Sequence, residues 1–286
     1  MKNILITGVS SGIGYETARF LTEKGNRVFG STRSDATGDQ IKQKFGENFI
    51  PLTFDVRDKA AIAKAVDSVT SILGDQGLDV LINNAGVAIP GPLSHFEEAD
   101  FDNVFNINVK GLMQVTNSFL PLLGAHLPPK GNPGKIINIS SVSGIFSAPF
   151  NGVYAMSKHA VESMTDAYRR ELMIYGIDVI SIQPGPIKTD IWNKAKGVAE
   201  KYKHTDYAEF MKHANKIINK MEEDALPVQK ISILINKIIE SANPKTKYLV
   251  HKKKFLFKLM AYYLPDRFVD RLIKKNLMGG NKIKPV

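Results

Sequence analysis

The chain has 286 residues and no cysteine, which excludes disulfides, thiolate nucleophiles and thiolate metal sites. Hydrophobic residues make up 43% and charged residues 23%, the balance of a soluble globular protein, and the length suits one large α/β domain. The net charge of +10 lies in the tail: Ser241–Val286 holds twelve Lys/Arg against two Asp/Glu, which leaves 26 of each sign in residues 1–240. A neutral body argues against a nucleic-acid partner, and a basic tail points to an anionic membrane surface.

The N-terminal Met1-Lys-Asn-Ile-Leu-Ile-Thr-Gly runs straight into a first strand, Lys2–Thr7, with no room for a signal peptide. A glycine-rich turn and a helix over Ile13–Lys24 follow. Strands are predicted at Arg27–Thr32 and Phe49–Phe54, a helix at Lys59–Leu73 and a strand at Leu78–Asn83. Ala88–Pro92 reads as a surface loop, Phe101–Leu123 as one helix, and Pro128–Gly134 as a second loop. The next strand is Gly134–Ile139. Val153–Tyr175 carries Val161, Met164, Tyr168, Leu172 and Tyr175 at steps of three and four, with Gly176 as its stop. A strand at Ile177–Gln183, a long charged stretch at Asp190–Leu226, a helix at Val228–Ser241 and a strand at Lys247–Val250 complete the body. The strands are unbroken apolar runs alternating with helices, the pattern of a parallel sheet covered on both faces. No apolar run reaches the roughly 20 residues of a spanning helix. The expected location is cytoplasmic, with peripheral membrane contact through the tail.

The first turn, Thr7-Gly-Val-Ser-Ser-Gly-Ile-Gly14, places Gly8, Ser10, Ser11, Gly12, Ile13 and Gly14 between a strand and a helix. Glycines there allow a tight turn and close backbone approach. The helix N-terminus then offers free N–H groups and a positive dipole end to a pyrophosphate. At the end of the second strand, where an acid would meet the ribose hydroxyls of NAD(H), stand Thr32 and Arg33. A guanidinium pairs with a 2′-phosphate and a carboxylate repels it, so NADP(H) is expected over NAD(H). Asp35, close by, is the counter-indication.

Tyr154 and Lys158 stand at i and i+4 of one helix and so share a face. A phenol with a pKa of about 10 is a poor base near neutrality, and a neighbouring ammonium favours its ionised form. This pair is expected to move a proton, with Tyr154 the general acid in carbonyl reduction and the general base in alcohol oxidation. Ser141, thirteen residues before the tyrosine, can hydrogen-bond the substrate oxygen where charge develops. Asn108 lies inside an otherwise apolar helix. The six histidines are scattered, and His159 points about 100° away from Lys158 on the helix, so no metal is expected. No Gly-x-Ser-x-Gly elbow indicates a serine hydrolase.

Taken in order, Thr7-Gly-x-x-x-Gly-Ile-Gly14, Asp55-Val56, Asn83-Asn-Ala-Gly86, Asn108, Ser141, Tyr154-x-x-x-Lys158 and Pro184-Gly-Pro-Ile-Lys-Thr189 resemble the short-chain dehydrogenase/reductase family. The likeness covers residues 1–250, is of the compact kind, and leans toward retinol and hydroxysteroid dehydrogenases. It implies a doubly wound α/β (Rossmann) domain with a seven-stranded parallel sheet in the order 3-2-1-4-5-6-7. It implies that Asp55 and Val56 flank the adenine and that Asn84, Ala85 and Gly86 line the cofactor cleft. Pro184, Gly185, Ile187 and Thr189 would lie by the nicotinamide, Lys158 would hold its ribose, and Asn108 would hold a water linking Lys158 to solvent. A homodimer or homotetramer is implied as well. The activity expected is NADP(H)-dependent interconversion of an alcohol and a carbonyl on a small hydrophobic substrate. An epimerase or isomerase with a tightly held cofactor is one alternative, though the chain lacks the extra C-terminal domain usual in sugar-nucleotide epimerases. A non-catalytic cofactor sensor is the other.

Residues 190–226 mix apolar anchors (Ile191, Trp192, Tyr202, Tyr207, Phe210, Met211) with charges, as a lid over the substrate would. The tail, 251–286, sets Lys252-Lys-Lys254 beside an apolar segment and an amphipathic helix, the pattern of an interfacial binder or of a cover over the substrate mouth.

Overall fold

The computed structural model describes residues 1–128, 132–189, 198–210 and 222–277. Seven parallel strands form one sheet in the order β3-β2-β1-β4-β5-β6-β7. They are β1 (Asn3–Ile6), β2 (Arg27–Thr32), β3 (Phe49–Thr53), β4 (Val80–Asn83), β5 (Lys135–Ile139), β6 (Asp178–Pro184) and β7 (Lys247–Val250). All seven fall within or one residue beyond the predicted runs, because β1 and β4 are buried at every position and the other central strands at nearly every one.

Side chains alternate between two cores, one on each face of the sheet. Ile4, Ile6, Val28, Ile82, Ile137 and Ile180 pack against α1 (Gly12–Glu23) and a C-terminal helix, α7 (Gln229–Glu240). Leu5, Phe29, Leu81, Ile136 and Val179 pack against α3 (Lys59–Leu73), α5 (Leu112–Phe119) and the long helix α6 (Gly152–Glu171). Crossovers on both sides leave β1 and β4 as neighbours with chains leaving in opposite directions. The crevice above their C-terminal ends is where such a sheet binds ligands.

Three segments differ from the sequence reading. A helix α2 (Asp35–Phe45) follows β2, where no helix was predicted. It buries only Gly38 and Ile41, too narrow a stripe to show as a period, and Ser34 caps it by accepting from the Thr37 amide at 3.4 Å. Asp35 therefore sits in a helical first turn, where its charge favours the helix dipole. The predicted helix Phe101–Leu123 begins earlier, as α4 (Glu98–Phe105), and passes through a π-helical turn at Asn106–Gly111 before α5. Gly111 has no room for a side chain, since a Cβ there would lie 2.6 Å from the Val56 side chain. The loop at 88–92 is not on the surface at Gly91: this residue is buried, donates to the Phe150 carbonyl at 2.8 Å, and has Tyr202 packed against it.

Two further helices, α8 (Lys254–Tyr262) and α9 (Asp266–Leu277), extend the chain beyond β7. No helix among the described residues is long and apolar enough to cross a membrane.

Candidate active site

The glycine turn is built by backbone geometry. Gly8 has φ +72 and Gly12 φ +62, left-handed values that favour glycine. A Cβ on Gly14 would collide with the Gly8 carbonyl and the Asn84 amide, so only glycine lets α1 start this close to β4. The loop is fastened from two sides. The Asn84 side chain donates to the Thr7 and Gly8 carbonyls, both at 2.9 Å, and the Thr7 hydroxyl accepts from the Asn84 and Ala85 amides at 2.9 and 3.0 Å. Ser31 accepts from the Gly8 amide at 3.0 Å. Ser11, the N-cap of α1, makes no side-chain cap, and the first turn holds no acid. The opening N–H groups of α1 are thus unspent and their positive end uncompensated, as a phosphate cradle requires. Thr189 closes over Gly12, its side chain 3.5 Å from where a Cβ would lie. Ser10 and Ser11 are exposed on this loop.

These features fit a dinucleotide. Beyond the phosphate cradle, Thr32 is buried with its hydroxyl donating to the Ser34 carbonyl at 2.9 Å, and Arg33 is exposed at the strand end. No carboxylate occupies position 32 or 33, although Asp35 opens α2 just beyond. Asp55 is close enough to Arg33 for the guanidinium to help hold its pKa down, but the main cause is Arg57, which grips both carboxylate oxygens at 2.9 and 2.7 Å. Arg57 fixes the orientation of Asp55, and nothing in its sequence neighbourhood signals that role. Val56, beside Asp55, is buried against Gly111.

The catalytic candidates converge from three elements. Ser141 follows β5 in extended backbone (φ -164) and is buried. Its oxygen accepts from the Ser143 amide at 3.0 Å, and it lies close enough to the Tyr154 hydroxyl to favour the ionised phenol. Lys158, one turn along α6, is 5% exposed; its Nζ lies 5.7 Å from the Tyr154 ring centroid and donates to the Ile139 carbonyl at 2.8 Å. Tyr154, Lys158 and Ser141 therefore meet as the spacing predicts.

The electrostatics correct one expectation. Burial raises the Tyr154 pKa above its ordinary value, and the neighbouring Ser141 hydroxyl only partly offsets this. Lys158 does not offset this rise; burial pushes its own pKa down to about 8, so it stays mostly protonated at pH 7 and loses its charge just above. Glu162, a further turn along α6, works the other way on Lys158. This buried carboxylate is bonded to Ser181 and to Gln183 (2.8 Å), with Lys247 at 3.5 Å.

Asn108 sits in the π turn and is 1% exposed. π turns of this kind are frequent at functional sites. Its oxygen accepts from the Val87 amide at 2.8 Å, and its nitrogen donates to the Val87 carbonyl (2.9 Å) and the Ser157 hydroxyl (3.0 Å). The side chain thus clamps the segment after Asn84-Ala-Gly86 to α6. Gly86 is the point of closest approach, where a Cβ would stand 3.2 Å from the Asn108 oxygen and 3.7 Å from Lys158 Nζ.

The remaining residues build the walls. Ile187 is buried and Thr189 half-buried in the segment after β6; the Lys188 amide donates to the Leu226 carbonyl there and the Leu226 amide to the Pro186 carbonyl, both at 2.9 Å. Pro184 is buried, and Gly185 is crowded by the His251 ring. Of the proposed lid, Tyr202 is buried and Lys201 pairs with Glu97 (2.8 Å) and Asp100 (3.0 Å). Tyr207 packs edge-on against Phe150 at 5.9 Å and His95 at 5.7 Å. Ile191, Trp192 and Met211 lie outside the described residues. Phe150 has φ 61, an uncommon and costly value for a bulky residue, four positions before Tyr154. A buried polar chain lies beneath the site: Asn83 donates to Thr116 and Asn138, and Asn138 to Thr165, each at 2.9 Å. It locks α5 and α6 to the strand ends that carry the catalytic groups. Sequence reasoning took Asn83 for part of a motif and had no signal for its partners.

Comparison with known proteins agrees with this geometry. The model of the short chain dehydrogenase family matches residues 2–198. The chain is 41% identical to an NADPH-dependent 3-dehydrocapnine reductase of Ornithobacterium rhinotracheale, over 97% of this chain and 98% of that one. It is 33% identical to a 3-ketodihydrosphingosine reductase of Bacteroides thetaiotaomicron, over 95% and 96%. Retinol dehydrogenase 16 of Mus musculus is 30% identical, over 95% and 87%.

Proposed function

The chain belongs to the short chain dehydrogenase family, and on that premise we propose that it is an NADP(H)-dependent reductase of a ketone on a hydrophobic, lipid-derived substrate. The observation that carries the reading is the convergence of Ser141, Tyr154 and buried Lys158, with Lys158 Nζ 5.7 Å from the Tyr154 ring centroid and Ser141 close enough to draw the Tyr154 pKa down. A bound nicotinamide supplies the hydride. Tyr154 then gives its hydroxyl proton to the developing alkoxide, and its raised pKa keeps that proton in place until the substrate oxygen needs it. The Ser143 amide donates to the Ser141 oxygen and so orients this side chain beside Tyr154, where its hydroxyl can also serve the substrate carbonyl. Lys158, with a pKa near 8, holds a proton that it can pass on close to neutral pH. Gly8 to Gly14 and Asn84 to Gly86 bind the dinucleotide; Arg33 selects the 2′-phosphate by offering it a guanidinium, with Thr32 in place of an acid at the strand end.

Two relatives support the direction and the substrate class, as their names give a reduction at a carbon-3 ketone. The reading includes a homodimer or homotetramer and a peripheral position at membranes. The test is a panel of lipid-derived and short ketones with NADPH and NADH, followed by cofactor absorbance. NADPH oxidation with a lipid-derived ketone, faster than with NADH, is the expected result. Tight NADPH binding with no oxidation by any ketone would make the protein a cofactor sensor.

A further inference from the structure

The two helices after β7 pack on the body along one side and leave an apolar, cationic surface on the other. The inner side is well seated. Val269 is buried, and Phe257 packs against His251 at 5.1 Å and edge-on against Phe146 at 5.9 Å. Phe146 lies in the loop that runs from Ser141 to Tyr154, so α8 forms part of the wall at the mouth of the site.

Among the described residues the outer side makes no such ring contacts with the body, although Tyr262 at its edge lies near enough to Lys247 and Glu162 to feel their charges. Phe255 is 84% exposed and Tyr263 77%, and Leu256, Tyr262, Phe268 and Leu272 are exposed with them. On α8, Phe255, Lys258 and Tyr262 follow at i, i+3 and i+7 and make one stripe. On α9, Phe268, Leu272 and Lys275 do the same at i, i+4 and i+7, and the Arg271 guanidinium lies 6.0 Å over the Phe268 ring. The only two acids of this region, Asp266 and Asp270, each stand two positions from Phe268, about 160° round the helix from it. The exposed face therefore carries aromatic and aliphatic groups and cations without an intervening carboxylate. Lys252 to Lys275 hold eight Lys/Arg against two Asp. Among the described residues, Lys252 is the one cation of this stretch with an ion pair, to Asp224 at 2.8 Å.

We propose that α8 and α9 form a docking surface for anionic membranes and set the Phe146 side of the active site against the bilayer. Charge decides the occupant. A second copy of this chain, related by a two-fold axis, would bring the same cationic face onto itself and bury unpaired lysines. An anionic bilayer satisfies both halves of the surface: rings settle at the headgroup level while lysine stems lie along the apolar region with their ammonium groups in the charged layer. The neutral body adds no competing field. The docking rests on this surface alone; direct entry of substrate from the bilayer rests also on the lipid-derived substrate proposed above.

The test is co-sedimentation of the full chain with phosphatidylcholine vesicles, with and without phosphatidylglycerol. Two double variants are compared, Phe255→Ser/Tyr263→Ser and Lys258→Glu/Lys275→Glu. The wild-type protein is expected to favour the phosphatidylglycerol vesicles at least tenfold at low salt. It should leave them near about 1 M salt, where the screening length falls to about 3 Å. Each double variant should lower partitioning about tenfold or more without changing turnover of a short soluble ketone. Wild-type protein that stays in solution with both vesicles overturns the proposal, as does equal binding to both. Variants that instead split an oligomer in light scattering would assign the surface to a second copy. Vesicle binding without any NADPH oxidation would leave the docking standing and refute the reductase.

Discussion

Replacing Lys158 with methionine is expected to end turnover and yet make the folded protein more stable near neutral pH. Burial moves the lysine from 10.5 to about 8. At about 1.4 kcal/mol per unit, that shift corresponds to roughly 3 kcal/mol held against folding whenever the lysine must be charged. Methionine removes this cost and keeps most of the volume. It also leaves the Ile139 carbonyl without its donor, a loss of about 1–3 kcal/mol. The net is a gain of roughly 1 kcal/mol at pH 7. Because the folded pKa lies below the unfolded one, the unfolded chain holds a proton between pH 8 and 10.5 that the native state has released. Wild-type stability from this site therefore rises with pH across that window, and the penalty is complete only below pH 8. The advantage of Lys158→Met should shrink by about 2 kcal/mol between pH 7 and 9.5 and reverse in sign. Urea denaturation of both proteins without cofactor, repeated across that range, measures it. A variant less stable at pH 7, or a difference that does not move with pH, would refute the reasoning.

Arg33→Glu is expected to lower the preference for NADPH over NADH by about 10–100-fold, because a charge-assisted bond to the 2′-phosphate is exchanged for repulsion; dissociation constants for the two cofactors test this, and an unchanged ratio contradicts it. Asn108→Ala removes the partners of the half-buried Val87 amide and carbonyl and of the buried Ser157 hydroxyl, so a stability loss of about 1–3 kcal/mol is expected, with weaker cofactor binding as the Gly86 segment loosens. Denaturation and cofactor titration report on this, and wild-type values in both would remove the clamp from the account.

The sheet was legible because both of its faces are covered. Val80–Asn83 and Asn3–Ile6 are buried at every position, and such runs announce themselves as apolar blocks between glycine and polar turns. Helix α2 was hidden by having only Gly38 and Ile41 to bury. The π turn at Asn106–Gly111 has no compositional mark, since it is a slip of one residue in the hydrogen-bond ladder. At the site, the proximity of Tyr154, Lys158 and Ser141 followed from spacing. Their electrostatics did not: desolvation depends on what surrounds a group, and burial of both side chains reversed the expected direction for the tyrosine. Partners distant in sequence, such as Asn83 with Thr116 and Asn138, or Glu162 with Ser181 and Gln183, became visible only once the sheet brought them together.

The most direct measurement is the rate of NADPH oxidation by Tyr154→Phe, taken beside its dissociation constant for NADPH. Loss of proton transfer with the pocket intact predicts turnover lower by about 10²–10⁴-fold and a dissociation constant within a fewfold of wild type. Wild-type turnover by the phenylalanine variant would contradict the mechanism at its core.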